Sequence, residues 1–343
     1  MAATTSDAAA NPPPPLRTYR GNCHCGAYVY EARLPEIRSV FECNCSICRK
    51  KGYLWVFPGE GDFSVVKGGD DALTGYTFGP GKLTHKFCPT CATPLMAHFP
   101  DGPPGKRRAL NVSPRCISER RTGGNGWTLT AGGRQVRAMQ GVTTSELERK
   151  PFNGAALGDP YVPPPYKGPT PEAVEGQRLY TGTCHCGRVG VALASKPLDA
   201  TFDELMVECN CSVCERNGYR WIYPETERVV LHAAAAAADD DHGDNQDDKQ
   251  DDADAIGRYS FARGIISKTF CRTCGVPLTN ERRALSPADE AALPERTARF
   301  YAYAKTHHPV NLRAFWPAVD LAALPAPTRN DGANKIEPPY VNP

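Results

Sequence analysis

The chain has 343 residues, a formal charge of only +2 and a hydrophobic content of 41%, so it is globular and too long for one ordinary domain. Its longest apolar runs fall well short of the ~18–20 residues of a membrane span, and its basic residues are too dilute for a nucleic-acid-binding face. Thirty-two prolines and 31 glycines imply many turns and short strands rather than long helices.

In chain order, "MAATTSDAAANPPPPL" lacks the basic start and apolar run of a secretory signal. Residues 1–15 read as a disordered leader. The expected location is cytoplasmic, with the nucleus also open. Thiols stay reduced there, so 15 cysteines call for metal rather than disulfides.

The cysteines come in order as "GNCHCG" (Cys23, Cys25), "CNCSIC" (Cys43, Cys45, Cys48) and "FCPTC" (Cys88, Cys91). They then repeat as "GTCHCG" (Cys184, Cys186), "CNCSVC" (Cys209, Cys211, Cys214) and "FCRTC" (Cys271, Cys274). The offset grows from 161 residues (184 − 23) to 166 (209 − 43) and 183 (271 − 88), which locates two insertions in the second copy. One lies near "LDATFDEL". The other, residues 233–255, is acidic and too poor in large apolar groups to order itself. Within it, Asp239 to Asp254 hold nine Asp and one Lys, a net of −8, so the remainder carries about +10 (2 + 8). That balance favours anionic small molecules. The copies also end alike, in "FNGAALGDPYVPP" and "NDGANKIEPPYVNP". The expected units are therefore residues 16–166 and 178–343, joined by a linker at 167–177.

The architecture is expected to be mainly β. Strands are predicted at "AYVYEA", "YLWVF", "FSVV" and "RALNV", and again at "RVGVAL", "YRWIY", "RVVL" and "RFYAYA". "SELERK" and "PADEAAL" are predicted as short helices.

C-x-C in a strand aims two sulfurs at one face, and C-x2-C closes a turn around two more. Together they make a four-thiolate site, from Cys23, Cys25, Cys88 and Cys91 in the first copy and Cys184, Cys186, Cys271 and Cys274 in the second. This is the closed structural zinc arrangement. His24 and His185 point away from the sulfurs and read as structural. The position after the second turn cysteine favours a left-handed backbone. Gly275 suits it, whereas Ala92 would cost roughly 1–2 kcal/mol. The group Cys43, Cys45, Cys48 and the group Cys209, Cys211, Cys214 stop at three ligands. Three ligands and an open fourth position mark a catalytic zinc. Cys116, His85, His307 and His308 lack repeat counterparts and are not expected to complete either group.

The set G-x-C-H-C-G, C-N-C-S-x-C and F-C-x-x-C-[GA]-x-P-L resembles the glutathione-dependent formaldehyde-activating enzyme family, which includes centromere protein V. The resemblance covers both units. It implies two tandem small zinc-binding β-tent domains, related to zinc ribbons. It also implies up to four Zn2+ per chain, with the three-cysteine groups holding a labile zinc that glutathione can engage. The activity implied is that of a carbon–sulfur lyase, condensing glutathione with a small aldehyde to an S-hydroxymethylglutathione-type adduct. Ala92, the acidic insertion and the tandem arrangement depart from the family pattern.

Arg49, Lys50 and Lys51 follow the first three-cysteine group, while Glu215, Arg216 and Asn217 follow the second. The basic trio would attract glutathione carboxylates, which favours the first copy as the thiol site. Gly52, Tyr53 and Trp55, with Gly218, Tyr219 and Trp221, read as turn and core residues. Two other functions stay open: a non-catalytic tandem zinc scaffold, and a thiol or metal sensor. The cluster Lys106 to Arg108 is too small to favour chromatin or cytoskeletal contact. No membrane or nucleic-acid partner is expected.

Overall fold

The computed structural model describes residues 14–102, 107–111, 138–139, 147–234 and 255–343. Residues 1–13 of the expected leader, Cys116, Lys106 and residues 235–254 of the acidic insertion lie outside the described residues.

The first half contributes β1 (Leu16–Asn22), β2 (Val29–Pro35), β3 (Ser39–Cys43), α1 (Ser46–Lys51), β4 (Trp55–Val56) and β5 (Phe63–Lys67). It continues with β6 (Thr74–Tyr76), β7 (Thr84–Phe87), β8 (Pro94–His98), β9 (Arg108–Asn111) and β10 (Glu148–Phe152). The second half contributes β11 (Arg178–Thr183), β12 (Val189–Ser195), β13 (Met206–Cys209), α2 (Ser212–Asn217), β14 (Trp221–Ile222) and β15 (Val229–Ala233). After these come β16 (Ile256–Ser260), β17 (Ile266–Cys271), β18 (Pro277–Arg282), α3 (Pro287–Ala291), α4 (Glu295–Tyr303), β19 (Val310–Asn311), β20 (Thr328–Asn330) and α5 (Gly332–Lys335).

The chain is mainly β, as expected, and its halves repeat strand for strand. Each half has a three-stranded sheet, β1-β2-β5 or β11-β12-β15. Each also has a seven-stranded sheet, ordered β10-β3-β4-β9-β8-β7-β6 and β20-β13-β14-β19-β18-β17-β16. The last strand of each half lies parallel to the strand that ends in the first cysteine of the three-cysteine group. Phe152 pairs with Cys43, and Asn330 pairs with Cys209. The similar chain ends of the two copies are therefore edge strands laid beside the cysteine groups.

Three local expectations are corrected. "RFYAYA" is helical, within α4. Tyr301 is 1% exposed and Ala304 6%, whereas Phe300 and Tyr303 reach 36% and 37%. Buried residues three apart describe a helix face, and the short aromatic alternation concealed it. The true counterpart of "RALNV" is Val310–Asn311, which pairs with β14 as β9 pairs with β4. "SELERK" is no helix over its described part. Glu148 to Lys150 belong to β10, because pairing with β3 overrides weak local preference. The C-x-C cysteines sit in the turn after β1 or β11 rather than inside a strand. Gly26 (φ 72°) and Gly187 (φ 85°) make that turn. "PADEAAL" does begin a helix, α3, capped by Ser286, which accepts a hydrogen bond from Asp289 N.

The core ignores the midpoint of the chain. Ile47, Cys48, Tyr53 and Trp55 share one buried cluster with Cys184, Val191, Leu312 and Phe315. No helix among the described residues is long and apolar enough to cross a membrane.

Candidate metal centres

The β1–β2 turn brings Cys23 and Cys25 against Cys88 and Cys91 on the β7–β8 hairpin, and the four sulfurs lie within 4.8 Å of one another. Cys25 Sγ is 3.5 Å from both Cys23 Sγ and Cys88 Sγ. In the second half, Cys186 Sγ is 3.5 Å from Cys184 Sγ and 3.6 Å from Cys271 Sγ, with Cys274 completing the set. Backbone amides reinforce the first sulfur of each set: Tyr28 N and Val189 N donate to Cys23 and Cys184, both at 3.3 Å. Ala92 has φ 55° where Gly275 has φ 68°, so the alanine occupies the left-handed position that its location implied.

Each three-cysteine group spans a strand end and a helix start. Cys43 ends β3, Cys45 is the N-cap of α1, and Cys48 lies three residues on, on the same side of the first turn. Gly52 (φ 63°) stops the helix, as Gly218 (φ 63°) stops α2. Cys209, Cys211 and Cys214 take the same places. Within each group the three sulfurs lie within 4.8 Å of one another.

Residues the sequence left unassigned surround these groups. Asn44 Nδ2 donates to Asn153 Oδ1, and Asn44 Oδ1 accepts from Ala155 N, both at 2.8 Å. Asn210 clasps Asp331 Oδ1 and Ala333 N in the same way. These clasps fold each half's closing segment over its own cysteines. A Cβ on Gly154 would sit 2.4 Å from Cys43 Sγ, and one on Gly332 would sit 2.5 Å from Cys209 Sγ. Trp55 Nε1 donates to Cys48 Sγ at 3.3 Å, and Trp221 Nε1 to Cys214 Sγ at 3.4 Å. The two tryptophans are thus sulfur donors as well as core. The invariance of N and G between the copies was the available signal for the clasp.

His24 and His185 point away from their own sulfurs, into the opposite half. His185 bonds Ser46 Oγ at 2.8 Å and Tyr76 Oη at 2.7 Å. His24 bonds Ser212 Oγ at 2.8 Å and Tyr259 Oη at 2.7 Å. Tyr161 stacks on His185 at 4.3 Å, and Tyr340 stacks on His24 at 4.4 Å. Burial holds both imidazoles low, at about 4 for His185 and about 3 for His24, so both are neutral.

The basic trio divides. Successive residues on a helix turn by ~100°, so Arg49, Lys50 and Lys51 fan apart. Arg49 is exposed. Lys50 is 0% exposed and donates to the carbonyls of Thr183, Ala314 and Trp316 at 2.9, 3.1 and 2.9 Å. Lys51 is 1% exposed and donates to Cys274 O at 3.3 Å. Burial lowers both lysines to about 8. Their ammonium groups fasten the two halves and do not face the first cysteine group's outer side.

The two three-cysteine groups differ electrostatically. In the second, Lys268 Nζ lies 3.7 Å from Cys214 Sγ and 4.3 Å from the Trp221 ring centroid, and Asn330 Nδ2 donates to Cys209 at 3.4 Å. In the first, β7 places His85 where β17 has Lys268, each opposite a tyrosine, Tyr76 or Tyr259. The His85 imidazole is buried among Tyr53, Trp55 and Phe78. Hydrogen bonds from Cys45 and Cys48 hold the Cys43 thiol down, to about 3. In the second group the thiol held low is Cys214, through Cys209 and Cys211 and then Lys268.

Residues 18–114 match the family model described as glutathione-dependent formaldehyde-activating enzyme. A structural-genomics crystal structure of a Rhodobacter sphaeroides protein is 33% identical over 27% of this chain and 84% of that chain, with a TM-score of 0.25.

Proposed function

We propose, from the membership of residues 18–114 in the glutathione-dependent formaldehyde-activating enzyme family, that the chain is a zinc-dependent carbon–sulfur lyase. It would act on glutathione or a related thiol and a small aldehyde. Residues 16–166 and 178–343 would be the two zinc domains.

The donor sets suit zinc. Four thiolates around a tetrahedral ion with Zn–S of ~2.3 Å stand ~3.8 Å apart. The observed Sγ–Sγ separations of 3.5–3.6 Å need little adjustment to reach that. Cys23, Cys25, Cys88 and Cys91, and Cys184, Cys186, Cys271 and Cys274, would hold structural ions. Cys43, Cys45 and Cys48 would hold the working ion, and Cys209, Cys211 and Cys214 a fourth. A zinc ion with one free position supplies Lewis acidity and favours the thiolate form of an incoming thiol.

The reaction needs little more from the chain. The thiol sulfur adds to the aldehyde carbon, and the carbonyl oxygen takes up the proton that the thiol loses. The reverse breaks the same carbon–sulfur bond. Trp55 spreads charge from Cys48, while the Asn44 clasp and Gly154 hold Cys43 and Cys45 in place.

The observation that carries the assignment to the first group is its setting. It borders a cavity with arginine walls, lined by Cys43, Cys48, Arg49, Arg149 and Arg313. The second group carries two contacts that the first does not share, Lys268 on Cys214 and Asn330 on Cys209, which suits a structural role. Assay of the zinc-loaded chain with glutathione and formaldehyde should show adduct formation. Cys48→Ser should abolish it and Cys214→Ser should largely retain it. Equal loss in both variants would overturn the assignment to the first group. An inactive zinc-loaded chain would leave the scaffold reading in its place.

A further inference from the structure

We propose that Arg49, Arg149 and Arg313 form a carboxylate-binding subsite beside Cys43 and Cys48, with Arg313 supplied by the second half of the chain. The proposal rests on the thiol reading above and deepens it: the substrate is a thiol that carries a carboxylate.

The cavity beside the first group measures about 40 Å³. At ~10–15 Å³ for each water-sized atom it has room for about three such atoms, the size of a carboxylate. Three guanidinium groups line it, against one carboxylate, Glu42. Glu42 is engaged by Arg149 Nη1 at 3.3 Å. The three arginines therefore exceed the one glutamate by two positive charges, and by one once the net −1 of a zinc-loaded cysteine group is counted.

Arg313 is held in place before any ligand arrives. Its Nε donates to Gly218 O at 2.7 Å and its Nη1 to Arg49 O at 3.1 Å, so it bridges the ends of α2 and α1. Among the described residues no acceptor takes a hydrogen bond from its Nη2. A Cβ on Gly52 would sit 2.8 Å from Arg313 Cζ and 3.1 Å from Nη2, so the glycine that ends α1 also makes room for the guanidinium. Burial, with neighbouring Arg220, disfavours the charged form of this group, and an anion in the cavity would relieve that.

The second half closes the equivalent space. Arg220, which replaces Leu54, pairs with Glu208 at 2.6 Å and donates to Leu321 O at 2.8 Å. Glu215, which replaces Arg49, is buried there. Among the described residues the arginine-walled pocket borders the first group, and the second copy contributes a wall to it through Arg313.

The test is calorimetric binding to the full zinc-loaded chain of three probes: glutathione, 3-mercaptopropionate and 2-mercaptoethanol. Arg313→Gln should weaken the two carboxylate-bearing thiols by about tenfold or more and leave 2-mercaptoethanol unchanged. Arg313→Lys should recover part of the loss. If Arg313→Gln does not fold, the double variant Arg49→Gln with Arg149→Gln gives the same readout on more exposed side chains. Equal weakening of all three probes, or no weakening, overturns the subsite. Arginine-dependent binding of 3-mercaptopropionate with no binding of glutathione supports the subsite and overturns glutathione as the substrate. Glutathione binding indifferent to all three arginines does the reverse.

Discussion

His185 Nε2 lies 2.8 Å from Ser46 Oγ, although the two residues are 139 positions apart. Ser46 follows Cys45, and His185 stands between Cys184 and Cys186, so this bond ties a three-cysteine group in one half to a four-cysteine group in the other. The bond between His24 and Ser212 repeats it in the opposite direction. The halves are therefore joined as two copies of one domain would be across a two-fold axis, each gripping the other's histidine. His185→Ala removes two hydrogen bonds and the Tyr161 stack. It should cost ~2–4 kcal/mol of stability in chemical denaturation. A loss below ~0.5 kcal/mol would mean that the crossing contacts do not hold the halves together.

Gly154→Ala should empty the first three-cysteine group without touching a ligand. The added methyl would meet Cys43 Sγ at 2.4 Å. Metal analysis should show a loss of about one ion per chain, with the four-cysteine sites retained. Gly332→Ala should do the same at the second group. Unchanged metal content in both variants would show that the closing segments can move aside.

Ala92→Gly should raise the melting temperature. It relieves a left-handed alanine at φ 55° and returns part of the gain as chain entropy, a net of ~0.5–1 kcal/mol. Gly275→Ala should cost ~2 kcal/mol or more, because its Cβ would sit 2.6 Å from Lys51 Nζ and 2.8 Å from Phe87 Cδ2 as well as being strained. Equal and opposite effects would show that strain alone matters at these sites.

Lys268→Met should loosen the second three-cysteine group alone. Three thiolates and one zinc carry a net −1, and the ammonium 3.7 Å from Cys214 Sγ offsets it. Release of that ion to a chromophoric chelator should speed up by about tenfold, with release from the first group unchanged. Matching rates in the wild type and the variant would refute a stabilising role for this cation.

Acidification should unfold the chain partly through His85. Burial, with Lys51 and His185 nearby, holds its imidazole down to about 3, against 6.5 for a free side chain. The folded state therefore keeps His85 neutral while the unfolded state takes up a proton. Stability is fully present above pH ~6.5 and falls as the pH drops toward ~3. His85→Phe should flatten the decline between pH 7.5 and 5.5 by ~1.4 kcal/mol. An unaltered slope would show that other groups dominate it.

Much of this was legible from residue order. The duplication shows in the order of 14 cysteines, and the spacing within each C-x-C, C-x2-C and C-x-C-x2-C run and the left-handed place of Ala92 rest on turns whose chemistry is local. "RFYAYA" misled because four aromatic-rich positions fit a strand as well as a helix, and only burial of Tyr301 and Ala304 separates the two.

The sequence by itself determined which cysteines stand close in pairs and triplets, because C-x-C and C-x2-C bring sulfurs together whatever surrounds them. The tertiary structure decided which cations those sulfurs meet. Lys50 and Lys51 follow Cys48 directly in the chain, yet the turn of α1 carries them into the opposite half. Arg313, 264 residues from Arg49, arrives beside the first group. Charge acts through space over a few ångströms, and only packing of the two halves sets those distances.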